Sequence, residues 1–523
     1  MNDMKKIYAG ALLATTALGL AACGSSQTTE SSAPKEQDDT FTYAIGGDPS
    51  SMNPITVSDR WGLTATNMIY SPLARIEADG SQKLELAESI TPSEDGESIT
   101  VKLKDDIKWS DGEDLTADDV VFTYNQKANK ENGNADALLV DGEPIEAKKV
   151  DDLTVEFDLP SASAAALNNI ATETYIMPEH VFKDEPDFSV STLEADPVGT
   201  GPYTLKEYKN GQYLQFEANE NYYGGEPEIK NVTLQIIENA DTTKVALQKG
   251  EVDAAFVLPS DIEDLDQEEL DVYSYSENRV GYLGFNTNSE NLQDVKVRQA
   301  IQYALNRDDL NKAAYLDEEY YSDAISFLPP NNPYATEDLN DYATDVEKSK
   351  ELLAEAGATD LTINLAFSAS DPAQSLGATL IQQQLEQAGI TVELEGGDPT
   401  AIWTELQKED STKYDLFLGG YIMGNDPDLY SALFASTGSA NYFQYESDAT
   451  DQLFVDGATE LDESKREEIY DDLQNQIADD AVIYPIVDNK KVLAVNNHIQ
   501  NVEDAGLVPI YTLEDMSKLT IAE

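Results

Sequence analysis

Cysteine occurs once in the 523 residues, at Cys23, and histidine twice, at His180 and His498. A lone thiol cannot build a disulfide framework, and no His/Cys cluster exists that could hold zinc. Neither histidine has an acid or nucleophile at a recognisable spacing, which removes the usual hydrolytic constellations. Cations are also scarce: 33 Lys and Arg stand against 100 Asp and Glu, a net charge of −67. Nucleic acid requires a basic surface, and this chain cannot offer a general one. Past the N-terminus, no stretch approaches the roughly 20 apolar residues of a spanning helix. "DGEDLTADD" is rich in carboxylates but lacks the alternating ligand spacing and the later Glu of a calcium loop. These absences predict a protein that is not an enzyme and needs no metal and no cofactor.

The single cysteine has a context of its own. Lys5 and Lys6 precede an apolar stretch from Ile7 to Ala22, and Leu-Ala-Ala leads into Cys23. That order is the layout of a secretory signal, too short and too rich in Ala and Gly for a membrane span. The ending resembles the bacterial lipobox, which implies a diacylglyceryl thioether on Cys23 after removal of residues 1–22. The alternative is an ordinary signal peptide with a chance cysteine. Residues 23–40 are mostly Ser, Thr, Gln, Glu and Lys, unable to bury surface, and read as a flexible tether. Each buried methylene of an acyl chain contributes about 0.8 kcal/mol, so two chains hold stably. The expected location is the extracellular face of a cell membrane, anchored by lipid alone.

The mature chain is too long for one core and predicts two or three lobes. Its charge becomes −68 once Asp3, Lys5 and Lys6 are set aside. Self-repulsion of that size points to a saline medium, where the Debye length is about 3–8 Å, or else to a generally acidic secretome. A saline habitat carries an expected signature, a melting temperature that rises with added salt. Strand alternation and helical spacing both occur, which gives a mixed α/β class. Strands are expected at Phe41–Ile45, around Ile99, Val101 and Leu103, and in "LTVEFDLP", "YLQFEA", "KNVTLQIIEN" and "LTINLAFS". Thr116 is placed to cap a helix, Gly357 to end one, and "DVKVRQAIQYALNRDDL" has Val297, Ile301, Ala304 and Leu305 at helical spacing.

Several stretches resemble one family in the expected order. "SITVKLKDDIKWSDGEDLTADDVVFTYN" carries Trp109, Asp111, Gly112, Leu115, Ala117, Asp119 and Val120. "DPVGTGPYTLKEY" carries Gly199-Thr200-Gly201-Pro202-Tyr203, followed by Asn221-Tyr222-Tyr223. "ALQKGEVDAAF", "YLGFNTNSENLQDVKVRQAIQYALNRDDL" and "NDPDLYSALF" complete the set. Together they resemble the extracytoplasmic oligopeptide-binding proteins of ABC importers, solute-binding protein family 5, which also holds dipeptide and nickel binders. The lipobox belongs to its Gram-positive members. The resemblance implies an α/β, periplasmic-binding-protein-like clamshell of class II type with an additional third lobe. Lobe I would be discontinuous, residues 41–75, 197–280 and 492–523. Lobe II, inserted, would be 76–196, and lobe III 281–491, entered through "VGYLGFNT" and left through "IYPIVDNKKVL". A monomer would close on an extended oligopeptide and present it to an ABC permease with its ATPase subunits. Nickel or another non-peptide solute, and a peptide pheromone, are the alternative cargoes.

The resemblance also places candidate ligand contacts. These are Gly46, Gly47, Asp48 and Asn53 after the first strand, Phe367 and Ser368 after another, and Gly420, Tyr421, Ile422, Met423 and Asp426. Many relatives carry an aspartate three residues before the Asp-Pro pair, where it grips the peptide amine; Met423 stands there instead. A thioether cannot pair with an ammonium, and burying that charge unpaired costs several kcal/mol. Longer peptides with a solvated amine, a clamp by Asp426 or Asp428, or a ligand without an amine would each account for it. Trp109, beside the Ser110-Asp111-Gly112 turn, and Trp403 read as packing residues. "GTGPY" lacks the spacing and the Lys-Ser/Thr of a phosphate loop. The acidic field predicts that neutral and basic peptides are favoured.

Overall fold

A computed structural model describes residues 39–522, apart from 77–81, 133–134, 141, 172–173, 186, 189–196, 266–267 and 409. Cys23, the signal and nearly all of the tether lie outside the described residues. Among the described residues, no helix is long and apolar enough to cross a membrane.

The alternating strands assemble where their apolar positions predict. Ser98–Leu103 buries Ile99, Val101 and Leu103, and pairs antiparallel with Ala87–Pro92 and Thr154–Asp158. Glu146–Asp151 completes this four-stranded sheet. Ala117–Lys127 packs beside it, started by a reciprocal capping box between Thr116 and Asp119. Trp109 is fully buried, and the Asp111 carboxylate accepts the Glu113 N–H at 3.1 Å, so this motif is architecture.

The larger sheet has eleven strands. Tyr203–Lys209, Tyr213–Ala218, Asn231–Ile236, Thr40–Ile45 and Ala254–Phe256 form one side, in that order. Leu416–Ile422, Thr362–Ser368 and Thr391–Gly397 form the other, with parallel pairing at the far edge. Two long antiparallel strands join the sides, Leu270–Phe285 of 16 residues and Ile483–Asn496 of 14. Their register slips between Ser276 and Val280, where Asn278 takes φ 52°. Such a bulge bends and twists a strand pair.

The interior is divided accordingly. One apolar cluster unites Phe41, Tyr43 and Phe216 with Val101, Phe157 and Trp109, and takes back the C-terminal Leu513, Met516 and Leu519. Residues 280–487 supply two other clusters, around Leu365, Ile381 and Phe285 and around Phe417, Phe434 and Tyr470. "DVKVRQAIQYALNRDDL" is two helices, Val295–Tyr303 and Arg307–Tyr315, because the Asn306 side chain accepts the Asp309 N–H and starts a new one.

The Gly-Thr-Gly-Pro-Tyr segment lies against the C-terminal end of the helix Arg60–Ile69. Gly201 N–H donates to the Ile69 carbonyl at 2.8 Å, and Gly199 and Ser110 exchange hydrogen bonds. A Cβ at Gly199 would sit 1.9 Å from that same Ile69 oxygen. These glycines serve close backbone approach.

Candidate joint site between the two halves of the sheet

The first candidate loop leaves the strand Thr40–Ile45 and lies on Trp61, the second residue of the helix Arg60–Ile69. A Cβ at Gly46 or Gly47 would be 3.5–3.6 Å from the indole. Trp61 meets Tyr43 edge-on and Phe256 obliquely, both with ring centroids 6.5 Å apart. Lys491 Nζ stands 5.2 Å from the centroid of Phe256, and the Arg60 guanidinium 5.9 Å from it. Beneath these cations lies Glu277, whose side chain is 1% exposed. Arg60 Nη2 approaches Glu277 Oε1 at 2.5 Å, and Lys491 lies 3.9 Å from Oε2.

Two residues along the same strand, Arg279 continues the wall toward the second candidate stretch. It stands opposite Ile422 in register, and its guanidinium covers Gly420, where a Cβ would be 2.1 Å from Nη2. A side chain at Gly420 would displace the guanidinium from this place. Gly46 and Gly47 are thus linked to Gly420 and Ile422 through Trp61, Phe256, Lys491, Glu277 and Arg279, across the bulge.

Other candidates are placed differently. Asn53 is buried, and its side chain accepts the Ile55 N–H at 2.9 Å to hold a turn. Asp48 accepts Tyr208 Oη and Gly211 N–H, both at 2.8 Å, tying the loop to the neighbouring hairpin. The Tyr421 ring enters the core against Tyr430 and Phe434, and its hydroxyl donates to the Phe327 carbonyl at 2.6 Å. Met423 is half-buried against that same cluster. Phe367 lies over Gly396, and Ser368 Oγ meets Ser370 Oγ at 3.0 Å.

Asp426 is not a free carboxylate. Arg466 Nη2 donates to its two oxygens at 2.8 and 2.9 Å, with both side chains at most 5% exposed. Arg466 also donates to the Gly457 carbonyl and to the Tyr334 and Tyr470 hydroxyls. Asn168 Nδ2 donates to the second Asp426 oxygen at 3.1 Å, and Ala164 N–H donates to the Ala458 carbonyl at 2.8 Å. Residues 164–168 and 426–458 therefore meet directly.

Asp428, partly buried beside this pair, is pushed up to about 6 by burial and by Asp426, against the pull of Arg466. The ordinary value is near 4. With the folded value above the unfolded one, its contribution is fully present below about pH 4 and is lost as pH rises through about 6. Asp428→Asn is expected to stabilise the fold at pH 7 by about 1–2 kcal/mol and to leave pH 4 nearly unchanged. Denaturant titrations at the two pH values measure it.

Arg60, Trp61, Phe256, Glu277, Arg279 and Lys491 were not singled out in the sequence. One available signal was the rarity of arginine: six in 523 residues, two of them in this wall.

Comparison with known proteins fits this architecture. The sequence profile described as bacterial extracellular solute-binding proteins, family 5 Middle, matches residues 82–443, well over half of the chain. The chain belongs to that family. This solute-binding protein superposes on the substrate-binding protein CtaP of Listeria monocytogenes with a TM-score of 0.89 and 37% identity. That match covers 92% of this chain and 99% of the other. The oligopeptide-binding protein AppA of Bacillus subtilis is 28% identical over 98% of each chain. Its structure in complex with a nonapeptide gives a TM-score of 0.77 at 25% identity, covering 92% of this chain and 99% of AppA. The nickel-binding periplasmic protein of Escherichia coli is 29% identical over 81% of this chain and 84% of its own. The fold is α/β and periplasmic-binding-protein-like. Among the described residues, no group of three or more His, Cys, Asp or Glu is placed to hold a metal ion.

Proposed function

We propose that this solute-binding protein captures extended oligopeptides between closing lobes and passes them to an ABC permease, while a lipid on Cys23 keeps it at the outer face of the membrane. The observation that carries this reading is the long strand pair Leu270–Phe285 and Ile483–Asn496. It joins the two sides of the main sheet, and the candidate contacts flank its bulge. Two adjacent crossings are what a hinge requires. The lobes on this reading are 41–75, 197–280 and 492–523; 76–196; and 281–491. The Ala164–Ala458 and Asn168–Asp426 bonds are then contacts of the shut form between the second and third lobes.

With Asp426 held by Arg466 and Met423 apolar, this stretch offers no free clamp of the usual kind for a peptide amine. Peptides long enough to leave the amine in water fit best. The acidic field favours the approach of neutral or basic ones.

Thermal shift with peptides of three to twelve residues tests the reading. A ligand at about 100 times its Kd adds roughly 2.7 kcal/mol to the folded state, a clear rise in Tm. Absence of any shift across the series would defeat it. Mass spectrometry of ligands released on denaturation separates peptides from a nickel complex.

A further inference from the structure

The C-terminal tail folds back as a tight hairpin, with Leu507–Val508 antiparallel to Thr512–Leu513. Its reversal consists of two consecutive γ-turns. Tyr511 N–H donates to the Pro509 carbonyl at 2.7 Å, and Leu513 N–H to the Tyr511 carbonyl at 2.9 Å. Their central residues, Ile510 and Thr512, stand at φ 65° and 69°. This is the rare, strained form of the γ-turn, and both centres are β-branched, the side chains least suited to positive φ. A relaxed Asn-Gly turn would reverse the chain at less cost. Such strain persists only where surrounding bonds over-determine it, and it gathers at ligand clamps.

The bonds that hold this hairpin lead to one side chain. Arg60 Nη1 donates to the Ile510 carbonyl at 2.9 Å, and Tyr43 Oη to Thr512 Oγ1 at 3.1 Å. Glu277 takes the other terminal nitrogen of the same guanidinium, so Arg60 is fixed at two points. Arg60 and Tyr43 both lie on Trp61, the guanidinium 6.0 Å from the indole centroid and the phenol ring edge-on at 6.5 Å. The three tryptophans differ in what they leave uncovered. Trp109 is fully buried, and Trp403 packs between the rings of Phe417 and Tyr442. Trp61 is half-buried beside the joint, and its indole N–H meets no acceptor among the described residues. A large aromatic held still and left partly open is the kind of surface on which binding energy concentrates.

We infer that Trp61 is a platform for one apolar or aromatic side chain of the bound peptide, braced by the strained hairpin through Arg60 and Tyr43. Ile510 and Thr512 are positioning residues: they aim a carbonyl and a hydroxyl that fix the surroundings of Trp61 before the ligand arrives. An indole already in place spares binding the entropy of ordering it.

This rests on the peptide reading above, and the experiment separates the two. The probes are alanine–serine nonapeptides, the length held in the AppA complex, with a single Phe placed at each position in turn. Calorimetric titration of the full chain is expected to find one position where Phe binds about tenfold tighter than Ala. Trp61→Leu, which keeps apolar bulk, should bring that ratio within about twofold and leave the other positions unchanged. Two further variants address the brace. Replacing residues 509–511 by Asn-Gly keeps the chain reversal but removes the strain and the Ile510 carbonyl. Thr512→Val keeps the shape and removes only the acceptor of Tyr43, so it retains the fold even if the turn replacement does not. Each should lower the Phe ratio about threefold or more. A ratio below about twofold at every position, or one that survives Trp61→Leu, overturns the platform while the peptide reading stands. A ratio lost in Trp61→Leu but intact in both hairpin variants overturns the brace. No binding of any peptide from three to twelve residues defeats the peptide reading and the platform with it.

Discussion

Arg466→Met is expected to lower the unfolding free energy by about 3–5 kcal/mol, the cost of leaving a buried charge without its partner. The Asp426 side chain is 1% exposed and is held by the guanidinium at both oxygens. Methionine fills much of the space but supplies no donor. The Gly457 carbonyl and the Tyr334 and Tyr470 hydroxyls lose a partner as well. Asn168 cannot compensate, since one amide N–H meets only one oxygen. Asp426→Asn combined with Arg466→Met should recover part of the loss, because neutralising both sites removes the orphaned charge. Guanidinium denaturation of the four proteins in the cycle measures this. A loss below about 1 kcal/mol for Arg466→Met would show that water reaches the pair and that it is not a structural bond.

Gly199→Ala carries the other large effect, a loss of at least about 3 kcal/mol, the upper end of over-packing costs. The new methyl carbon would meet the Ile69 carbonyl oxygen at 1.9 Å and its carbon at 2.7 Å. That oxygen is already bound by Gly201 N–H, and Gly199 O by Ser110 N–H, so neither chain can retreat without breaking a bond. Gly377→Ala serves as the control. It lies in the helix Pro372–Gln387, with the nearest obstacle, Leu418 Cδ1, at 3.9 Å. Replacing a mid-helix glycine there should gain up to about 1 kcal/mol. Equal Tm for Gly199→Ala and the parent would show that the glycine serves something other than close packing.

Local patterns were legible wherever one short stretch contained all the determinants. Ile99, Val101 and Leu103 alternate and are buried; Thr116 caps a helix; Gly357 ends one at φ 71°. Within residues 294–310 the helical spacing of Val297, Ile301, Ala304 and Leu305 does not show the break between Tyr303 and Arg307, where the side chain of Asn306 competes with the helical backbone pattern. The candidate site was legible only in part. Gly46, Gly47, Gly420 and Ile422 flank the joint, but the side chains between them come from residues 60–61, 256, 277–279 and 491. No local spacing relates those positions. Asn53, Tyr421 and Asp426 were drawn as candidate contacts by their place in the chain, while their side-chain atoms are already taken by a turn, a core carbonyl and Arg466.

Composition and pattern alone determined the class of molecule: an acidic α/β protein, poor in histidine and cysteine, whose ordered motifs mark a solute-binding family. Those properties are sums or local periods, and a linear string carries both. Only the tertiary structure decided which carboxylates are spent and which cations remain. Glu277 finds Arg60 across 217 positions and lies 3.9 Å from Lys491, Asp426 finds Arg466 across 40, and Arg279 donates to Asn489 rather than to a carboxylate. Pairing depends on distance in space and on burial, and both follow from how the strands cross at the joint.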